Sequence, residues 1–436
     1  MSPGITLLDT WLPVFKNLDK KNYEINLFLN KPSILYTLDR KNLLLNISKE
    51  VFHKVYLNIS KNKVIQIENL NIFLEKFSPS KITNILKKLF SKIHKQENIF
   101  INNFLDISEL YIKIISFSLF SSQNYKILNT HDAINSHKLV CYDVTEERKK
   151  KFSNISKLIK NIKKISAFHG TDIKFLENKK TQSYNKIHNI VQCLYSFNQK
   201  EKDFYEYMFG VDNFLVAGCP KLDSKWLNYI NENYKIKNYN LNNSKNVLLI
   251  SRLPASYLPQ NHKIQFLNII KKKLMIENNY NLMIKRHPRE HPNSINNYFK
   301  IFEKKKFNKD WTFVDDYPAL IGTKCDFAIC FFSGVSIELL NINKPTIELL
   351  NLDEIPPNKI KDEVLIDENN HKVKINRFLK LVYGANDEES FSNIVDYINA
   401  NKTKSVENLK KNYTEIYKST NIIDDYISLI ENQFSI

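Results

Sequence analysis

Two polar clusters in the second half of the chain each follow a short apolar run, the pattern of a buried strand that ends in polar groups. The first cluster is Lys-Arg-His-Pro-Arg at 285–289, and the second is Ser-Gly-Val-Ser at 333–336. Cations and hydroxyls bind anions, and ligands of open α/β sheets bind at the carboxyl ends of the strands. The pattern therefore predicts a phosphate held between the two strand ends.

The residue types in these clusters suggest separate roles at a phosphate. The cations around His287 repel one another unless an anion compensates them, and an imidazole can stabilise or protonate a leaving phosphate because its pKa lies near neutrality. Gly334 lets a phosphate approach the backbone. Glu338 can accept hydrogen bonds from ribose hydroxyls or favour a helix start through the dipole. The predicted catalytic residue here is His287, and the predicted donor-binding residues are Arg252, Lys285, Pro288, Arg289, Ser333, Gly334, Ser336 and Glu338.

A third cluster, His-Gly-Thr-Asp at 169–172, follows an apolar run in the first half of the chain. Either His169 or Asp172 can act as a general base that deprotonates an acceptor hydroxyl. His169 is favoured because an imidazole titrates near neutrality without help. Asp172 can orient that imidazole, or serve as the base if partial burial raises its pKa.

The elements that would position these residues alternate between strands and helices, which predicts an α/β protein with two doubly wound, Rossmann-like domains facing a cleft. Residues 1–235 are predicted as the acceptor domain, 231–245 as a linker, 246–400 as the nucleotide-donor domain, and 401–436 as a helix that packs across both. The predicted strands are 23–29, 64–67, 138–142, 165–168, 190–194, 213–216, 246–250, 282–284, 327–332 and 345–349, and the predicted helices are 81–94, 101–119, 199–208, 264–276 and 405–434.

The net charge of +18 by itself excludes few classes of partner, but the positions of the basic residues along the chain are informative. The basic runs at 148–151, 271–273 and 304–306 have no interleaved aromatic residues, which argues against nucleic acid as a partner. An anionic membrane surface or a polyanionic acceptor fits better.

The five cysteines contain no Cys-x-x-Cys pair and are predicted to be buried free thiols in a reducing compartment. The expected location is the cytoplasm, with peripheral contact at the inner face of the cell membrane, because no apolar run is long enough to span a bilayer.

The layout resembles that of the GT-B transferases, which join an N-terminal acceptor domain to a C-terminal nucleotide domain. Lys285-Arg286-His287-Pro288 is similar to the KxHP-type motif of two groups that use cytidine nucleotides. One group is the bacterial sialyltransferases and polysialyltransferases, with related transferases of ulosonic sugars. The other is the CDP-glycerol glycerophosphotransferases of teichoic-acid synthesis.

Three further motifs carry the same resemblance, which covers roughly residues 165–350. Ser333-Gly334 resembles the Ser-Ser/Thr phosphate motif, with Gly334 in place of the second hydroxyl residue. The His-Gly-Thr at 169–171 resembles that of the glycerophosphotransferases, whose histidine is assigned as base, and residues 218–223 resemble their G-x-P-x-x-D turn. The chain departs from the sialyltransferases in having no acidic D/E-D/E-G tripeptide, and from the glycerophosphotransferases in having Asp172 where they have proline.

The resemblance implies a metal-independent glycosyltransferase without a cofactor. The best match is transfer of an ulosonic or sialic-type sugar from a CMP donor to a hydroxyl of a surface polysaccharide or lipooligosaccharide. The implied partners are therefore a nucleotide-sugar donor and a glycan or glycolipid acceptor. The alternatives are a CDP-glycerol-type glycerophosphotransferase, a UDP-sugar epimerase of the same fold, and a non-enzymatic polyanion-binding capsule protein.

Overall fold

The computed structural model describes most of the second half of the chain and selected segments of the first half. The chain divides into two compact units: Met1–His169, Lys186–Cys193 and Ile423–Ile436 form the first, and Gly170–Asn185 and Leu194–Ile422 form the second. These limits differ from those of the predicted domains, whose acceptor and donor roles remain predictions. The described residues are 4–18, 22–29, 42–60, 63–67, 125–129, 132–133, 137–143, 162–167, 190–194, 202–203, 206, 214–239, 245–287, 290, 294–360 and 364–434.

The described part of the first unit contains both antiparallel and parallel strand pairs. Strand β3 is antiparallel to β2 and β4, and β1 is parallel to β2. Only two residues connect β2 to β3, which allows a hairpin but no crossover to a parallel strand. Strands β5, β6 and β7 pair in parallel, as a doubly wound domain requires. The elements are α1 (Gly4–Asn17), β1 (Asn26–Leu29), α2 (Asn42–Val51), β2 (Lys54–Ser60), β3 (Lys63–Ile67), β4 (Tyr125–Asn129), β5 (Leu139–Asp143), β6 (Lys163–Ala167) and β7 (Ile190–Leu194).

The second unit is built around one six-stranded sheet in which every pair of neighbours is parallel. Before it come β8 (Phe214–Val216) and α3 (Ser224–Asn233). The sheet consists of β9 (Asn246–Ile250), β10 (Asn281–Lys285), β11 (Trp311–Phe313), β12 (Phe327–Cys330), β13 (Thr346–Leu349) and, after the hairpin of β14 (Leu365–Ile366) and β15 (Lys372–Val373), β16 (Tyr383–Ala385).

The strand order in this sheet is β11-β10-β9-β12-β13-β16. Numbered from β9, this is the order 3-2-1-4-5-6 of a doubly wound Rossmann-like sheet. The α/β class and the doubly wound C-terminal half are therefore confirmed.

Helices connect these strands and cover both faces of the sheet. Alternate residues of β9 illustrate the two-sided core, because Val247 and Leu249 belong to one apolar cluster and Leu248 and Ile250 to another. Burial on both faces explains why the strand reads as a continuous apolar run. The helices of this unit are α4 (Gln260–Ile270), which continues as a π-helical segment (Lys271–Glu277), α5 (Ile295–Ile301), α6 (Pro318–Gly322), α7 (Val335–Asn341), α8 (Ile375–Phe378), α9 (Glu388–Ala400) and α10 (Lys402–Ile416). The last helix, α11 (Ile422–Phe434), belongs to the first unit from Ile423 onward.

Two expectations about the ends of this unit need correction. The predicted helix 405–434 is two helices, α10 and α11, and Tyr417 already has extended backbone at the end of α10. The predicted linker contains the end of α3 and Tyr239, whose hydroxyl donates to Asp316 Oδ2 at 2.7 Å. That bond fixes part of the segment to the turn after β11. The predicted helices 81–94 and 101–119 lie outside the described residues.

The cysteine prediction is confirmed in large part, since all five thiols are free and only Cys141 is not fully buried. Over the residues described above, no helix is both long enough and apolar enough to cross a membrane.

Candidate functional site

The carboxyl ends of the six parallel strands lie at one edge of the sheet, and the direction of strand addition reverses between β9 and β12. From β9 the chain adds β10 and β11 on one side, and then crosses to add β12, β13 and β16 on the other. Ligands of open α/β sheets bind outside the carboxyl ends at such a reversal. We call the residues gathered there the switch-point site: Arg252, Tyr257, Phe332, Ser333, Gly334, Ser336, Lys374 and Asn376.

Arg252 comes soon after β9 and contacts the loop that follows β12. Its Nη1 donates a hydrogen bond to Phe332 O at 2.6 Å, and its guanidinium lies 5.3 Å from the ring centre of Tyr257 and 5.5 Å from that of Phe332. Contact with two rings that lie at 86° to each other restricts the position of the guanidinium. No carboxylate of the described residues forms an ion pair with Arg252, so its charge is available to an anion.

Phe332 has a left-handed backbone conformation, with φ of +70°. This region is rare for a large side chain and costs on the order of 1–3 kcal/mol. The ring packs edge-on against Tyr257 with centres 5.9 Å apart, and the carbonyl accepts the hydrogen bond from Arg252. These contacts hold the strained turn, which places Ser333 and Gly334 directly beside the arginine loop.

Ser333, Gly334 and Ser336 form the start of α7. The Ser333 hydroxyl accepts a bond from Val335 N at 3.3 Å, and Ser336 Oγ donates to Ser333 O at 2.7 Å. Ser336 is fully buried, whereas Ser333 and Gly334 are partly exposed. The Ser336 hydroxyl therefore braces the turn, and Ser333 with Gly334 is the part of the predicted motif that reaches solvent.

Asn376 reaches the same turn from α8. Its Nδ2 donates to Ser336 Oγ at 3.3 Å and, with a longer contact of 3.4 Å, to Ser333 O. The residue is 1% exposed, and its Oδ1 has no hydrogen-bond partner among the described residues. Asn376 therefore supports the Ser333 turn from its buried side.

Lys374 brings a second cation to the aromatic pair that holds Arg252. Its Nζ lies 4.6 Å from the ring centre of Tyr257 and 5.5 Å from that of Phe332. Lys374 is only 3% exposed. Neither Lys374 nor Asn376 was predicted from the sequence, because both lie in a largely polar stretch of the long connection between β13 and β16 and follow no apolar run.

Among the described residues, the cluster that follows β10 mainly makes contacts that hold neighbouring turns in place. Lys285 Nζ donates to the carbonyls of Asp315 at 3.3 Å and Asp316 at 2.7 Å, so it holds the turn after β11. The Arg286 guanidinium lies 5.0 Å from the ring centre of Phe313. His287, which is partly exposed, accepts a bond from Glu290 N at its carbonyl at 2.9 Å. Pro288 and Arg289 lie outside the described residues.

Glu338, predicted to bind ribose, forms a buried ion pair. Its Oε1 accepts from Lys221 Nζ at 2.6 Å, and the side chains are 6% and 7% exposed. Lys221 belongs to the turn after β8, where Gly218 needs its positive φ of +82° and Asp223 caps α3 by accepting from Lys225 N at 2.8 Å. This contact anchors α7 to the turn, and a role of Glu338 toward ribose stays a prediction.

The predicted bases His169 and Asp172 lie outside the described residues, and their roles stay predictions. Within the described segments, no group of three or more His, Cys, Asp or Glu side chains is arranged to hold a metal ion. The switch-point site thus combines the cations of Arg252 and Lys374 with a strained turn at which Ser333 and Gly334 are partly exposed.

Comparisons with known proteins found similarity in structure but none in sequence. No protein-family model matches the chain, and no curated protein matches it. Among solved structures, MnaA of S. aureus in complex with UDP is similar with a TM-score of 0.47 and 10% identity over 94% of this chain and 97% of that one.

Two other solved structures are similar at comparable levels. A UDP-N-acetylglucosamine 2-epimerase has a TM-score of 0.45 and 12% identity over 92% of each chain. The wall teichoic acid polymerase TagF has a TM-score of 0.40 and 13% identity over 63% of this chain and 69% of that chain.

Proposed function

We propose that the switch-point site binds the phosphate of a nucleotide-activated donor, and that the chain is a glycosyltransferase. The observation that carries this proposal is Arg252, which lies at the reversal of the doubly wound sheet, in contact with Tyr257 and Phe332 and without a carboxylate partner in the described residues. Lys374 adds a second cation against the same rings. Cations held at fixed positions stabilise the charge that develops on a departing phosphate.

The reaction proposed is attack of an acceptor hydroxyl on the anomeric carbon of the donor sugar. The bond from that carbon to the phosphate oxygen breaks, and the phosphate leaves with both bonding electrons. The departing phosphate oxygen would carry the new negative charge, which Arg252 and Lys374 would stabilise, with His287 assisting from the end of β10. The hydroxyl proton would pass to His169 or Asp172, in accordance with the sequence prediction.

A cytidine nucleotide is the first choice of donor, because the motif at 285–288 resembles that of the cytidine-using transferases. An ulosonic or sialic-type sugar on CMP is proposed first and CDP-glycerol second. The net charge of +18 supports an anionic glycan or glycolipid acceptor, and contact with an anionic membrane surface. A UDP-sugar epimerase or a non-enzymatic polyanion-binding protein would give different results in the experiment below.

The test is a thermal-shift panel with CMP, CDP, UDP and GDP. A ligand at a hundred times its Kd should stabilise the native state by about 2.7 kcal/mol, and CMP or CDP should raise Tm most. A larger shift with UDP would favour the epimerase alternative. No shift with any nucleotide, together with binding of an acidic polysaccharide, would favour the polyanion-binding alternative and overturn the proposal.

A further inference from the structure

A buried polar cluster joins the end of β9 to the turn that follows β10. Its centre is Glu290, whose Oε1 accepts hydrogen bonds from Lys263 Nζ, from the Tyr298 hydroxyl at 2.7 Å and from Ser251 Oγ at 3.4 Å. The Glu290 side chain is 1% exposed and that of Lys263 is 5% exposed. The motif at 285–289 ends one residue before this carboxylate, which no sequence pattern indicated.

Both partners of the ion pair also hold backbone that carries predicted site residues. Lys263 Nζ donates to Arg252 O at 2.6 Å, and Glu290 N donates to His287 O at 2.9 Å. One ion pair therefore connects the arginine loop after β9 with the histidine turn after β10.

Stability alone is a poor explanation for this cluster. Burial lowers the pKa of Lys263, while the adjacent Glu290 carboxylate opposes that shift, and burying two charges is costly even when they are paired. In addition, Glu290 Oε2 is buried with no hydrogen-bond partner among the described residues, which is unfavourable. Apolar residues of similar volume often give a protein the same stability as a buried ion pair. Stability therefore does not account for the two buried charges.

We infer that Glu290 is a positioning residue that, through Lys263, fixes Arg252 and His287 relative to each other. The inference rests on the proposed function, because it gives the two residues a common phosphate ligand. Glu290 itself is too deeply buried to reach that ligand, so it would act only through the two loops.

The first experiment measures the affinity for CMP or CDP, whichever gives the larger thermal shift, by calorimetry. Glu290→Gln should weaken binding by about tenfold, because Lys263 loses the counter-charge that holds it on Arg252 O. In an Arg252→Ala background the same change should weaken binding less than about twofold, since two changes acting through one contact are not additive. Equal losses in both backgrounds, or none in either, would overturn the inference.

The matched control is Lys273→Met, which removes another mostly buried lysine. Lys273 Nζ contacts Asp396 at 2.9 Å on α9, away from the carboxyl ends of the strands. This variant should leave nucleotide affinity unchanged. If Glu290→Gln does not fold, the double variant Lys263→Met/Glu290→Leu replaces the ion pair with apolar volume, and it should keep the wild-type Tm and still bind the nucleotide about tenfold more weakly. Wild-type affinity in that double variant would contradict the inference.

A second measurement needs no nucleotide. Hydrogen exchange of backbone amides in segments 250–258 and 283–290 should accelerate together in Glu290→Gln and in neither segment of Lys273→Met. Joint acceleration in a protein that binds no nucleotide would support the mechanical link and reject the proposed function. Unchanged exchange in a variant of a protein that does bind nucleotide would reject the link and leave the proposed function standing.

Discussion

Replacing Arg252 with Ala removes the central cation of the switch-point site and two kinds of contact. A hydrogen bond from a charged donor contributes roughly 1.5–3 kcal/mol, and here Nη1 lies 2.6 Å from Phe332 O. Each cation–ring contact at a partly exposed site adds about 0.5–1 kcal/mol. Water can replace part of the hydrogen bond at this edge, and Phe332 can relax from its strained conformation. We therefore expect the free energy of unfolding to fall by about 1–2 kcal/mol.

The effect on nucleotide affinity should exceed the effect on stability. Arg252→Ala removes a charge-assisted contact to phosphate and should weaken binding by about 10- to 100-fold, which corresponds to roughly 1.4–2.8 kcal/mol. Arg252→Lys keeps the charge but loses the planar group that contacts Tyr257 and Phe332. Its affinity should fall between those of the wild type and the alanine variant.

The assay is calorimetric titration of the folded variants, with Lys245→Ala as the matched control. Lys245 Nζ lies 5.6 Å from the Tyr280 ring centre at the amino end of β9, so the control removes a cation–ring contact at the opposite edge of the same sheet. Unchanged affinity in Arg252→Ala, or an equal loss in Lys245→Ala, would refute the reasoning.

Three further predictions concern the scaffold of the second unit. Gly384→Ala should lower the free energy of unfolding by about 1–3 kcal/mol in a urea titration, because a Cβ there would lie 2.1 Å from Arg377 Nε; wild-type stability would mean that Arg377 moves freely. Asp223→Ala should cost about 2 kcal/mol in the same titration, since its carboxylate caps α3 and accepts from Ile422 N at 2.7 Å; a loss as small as that of an exposed aspartate would contradict the double role. Hydrogen bonds at the start of α9 lower the pKa of Asp387, so its stabilising effect should be present above pH ~4, near the unfolded pKa, and disappear as the pH falls through the folded value. Stability curves of wild type and Asp387→Asn should therefore converge at low pH, and curves that stay apart would count against it.

The sheet of the second unit was predictable from the sequence to the extent that its strands are buried on both faces. β9, β10 and β12 read as apolar runs, because no polar side is needed. β13 (Thr346–Leu349) alternates apolar residues with the buried polar residues Thr346 and Glu348. β11 (Trp311–Phe313) and β16 (Tyr383–Ala385) were not predicted, since three residues are too short to show a pattern. In the first unit, β2 and β3 are antiparallel because only two residues connect them. The residue types alone did not show where β2 ends, so this short connection was not predicted.

Site residues were predictable where they follow a strand directly. Arg252, Ser333 and Gly334 were predicted in this way, and the structure places Arg252 against the Phe332 turn that leads into Ser333 and Gly334; their role in donor binding stays a prediction. Contacts between distant parts of the chain left no such signal: Asn376 is 43 residues from Ser333, and the Glu290–Lys263 pair is separated by 27 residues.

Buried ion pairing likewise cannot be read from local patterns. Glu338 was predicted to face a ribose from its place in the first turns of α7, yet its carboxylate pairs with Lys221, 117 residues away. The partner arrives through packing of α7 against the turn after β8, which no local pattern encodes.

Hydrogen exchange of the wild-type protein with and without the most stabilising nucleotide tests the central claim most directly. Bound nucleotide should slow exchange in segments 251–258, 331–337 and 374–377, which carry Arg252, the strained Phe332 turn and Lys374. Slower exchange confined to other segments, or no change in any segment at saturating nucleotide, would contradict the claim that the switch-point site binds the donor.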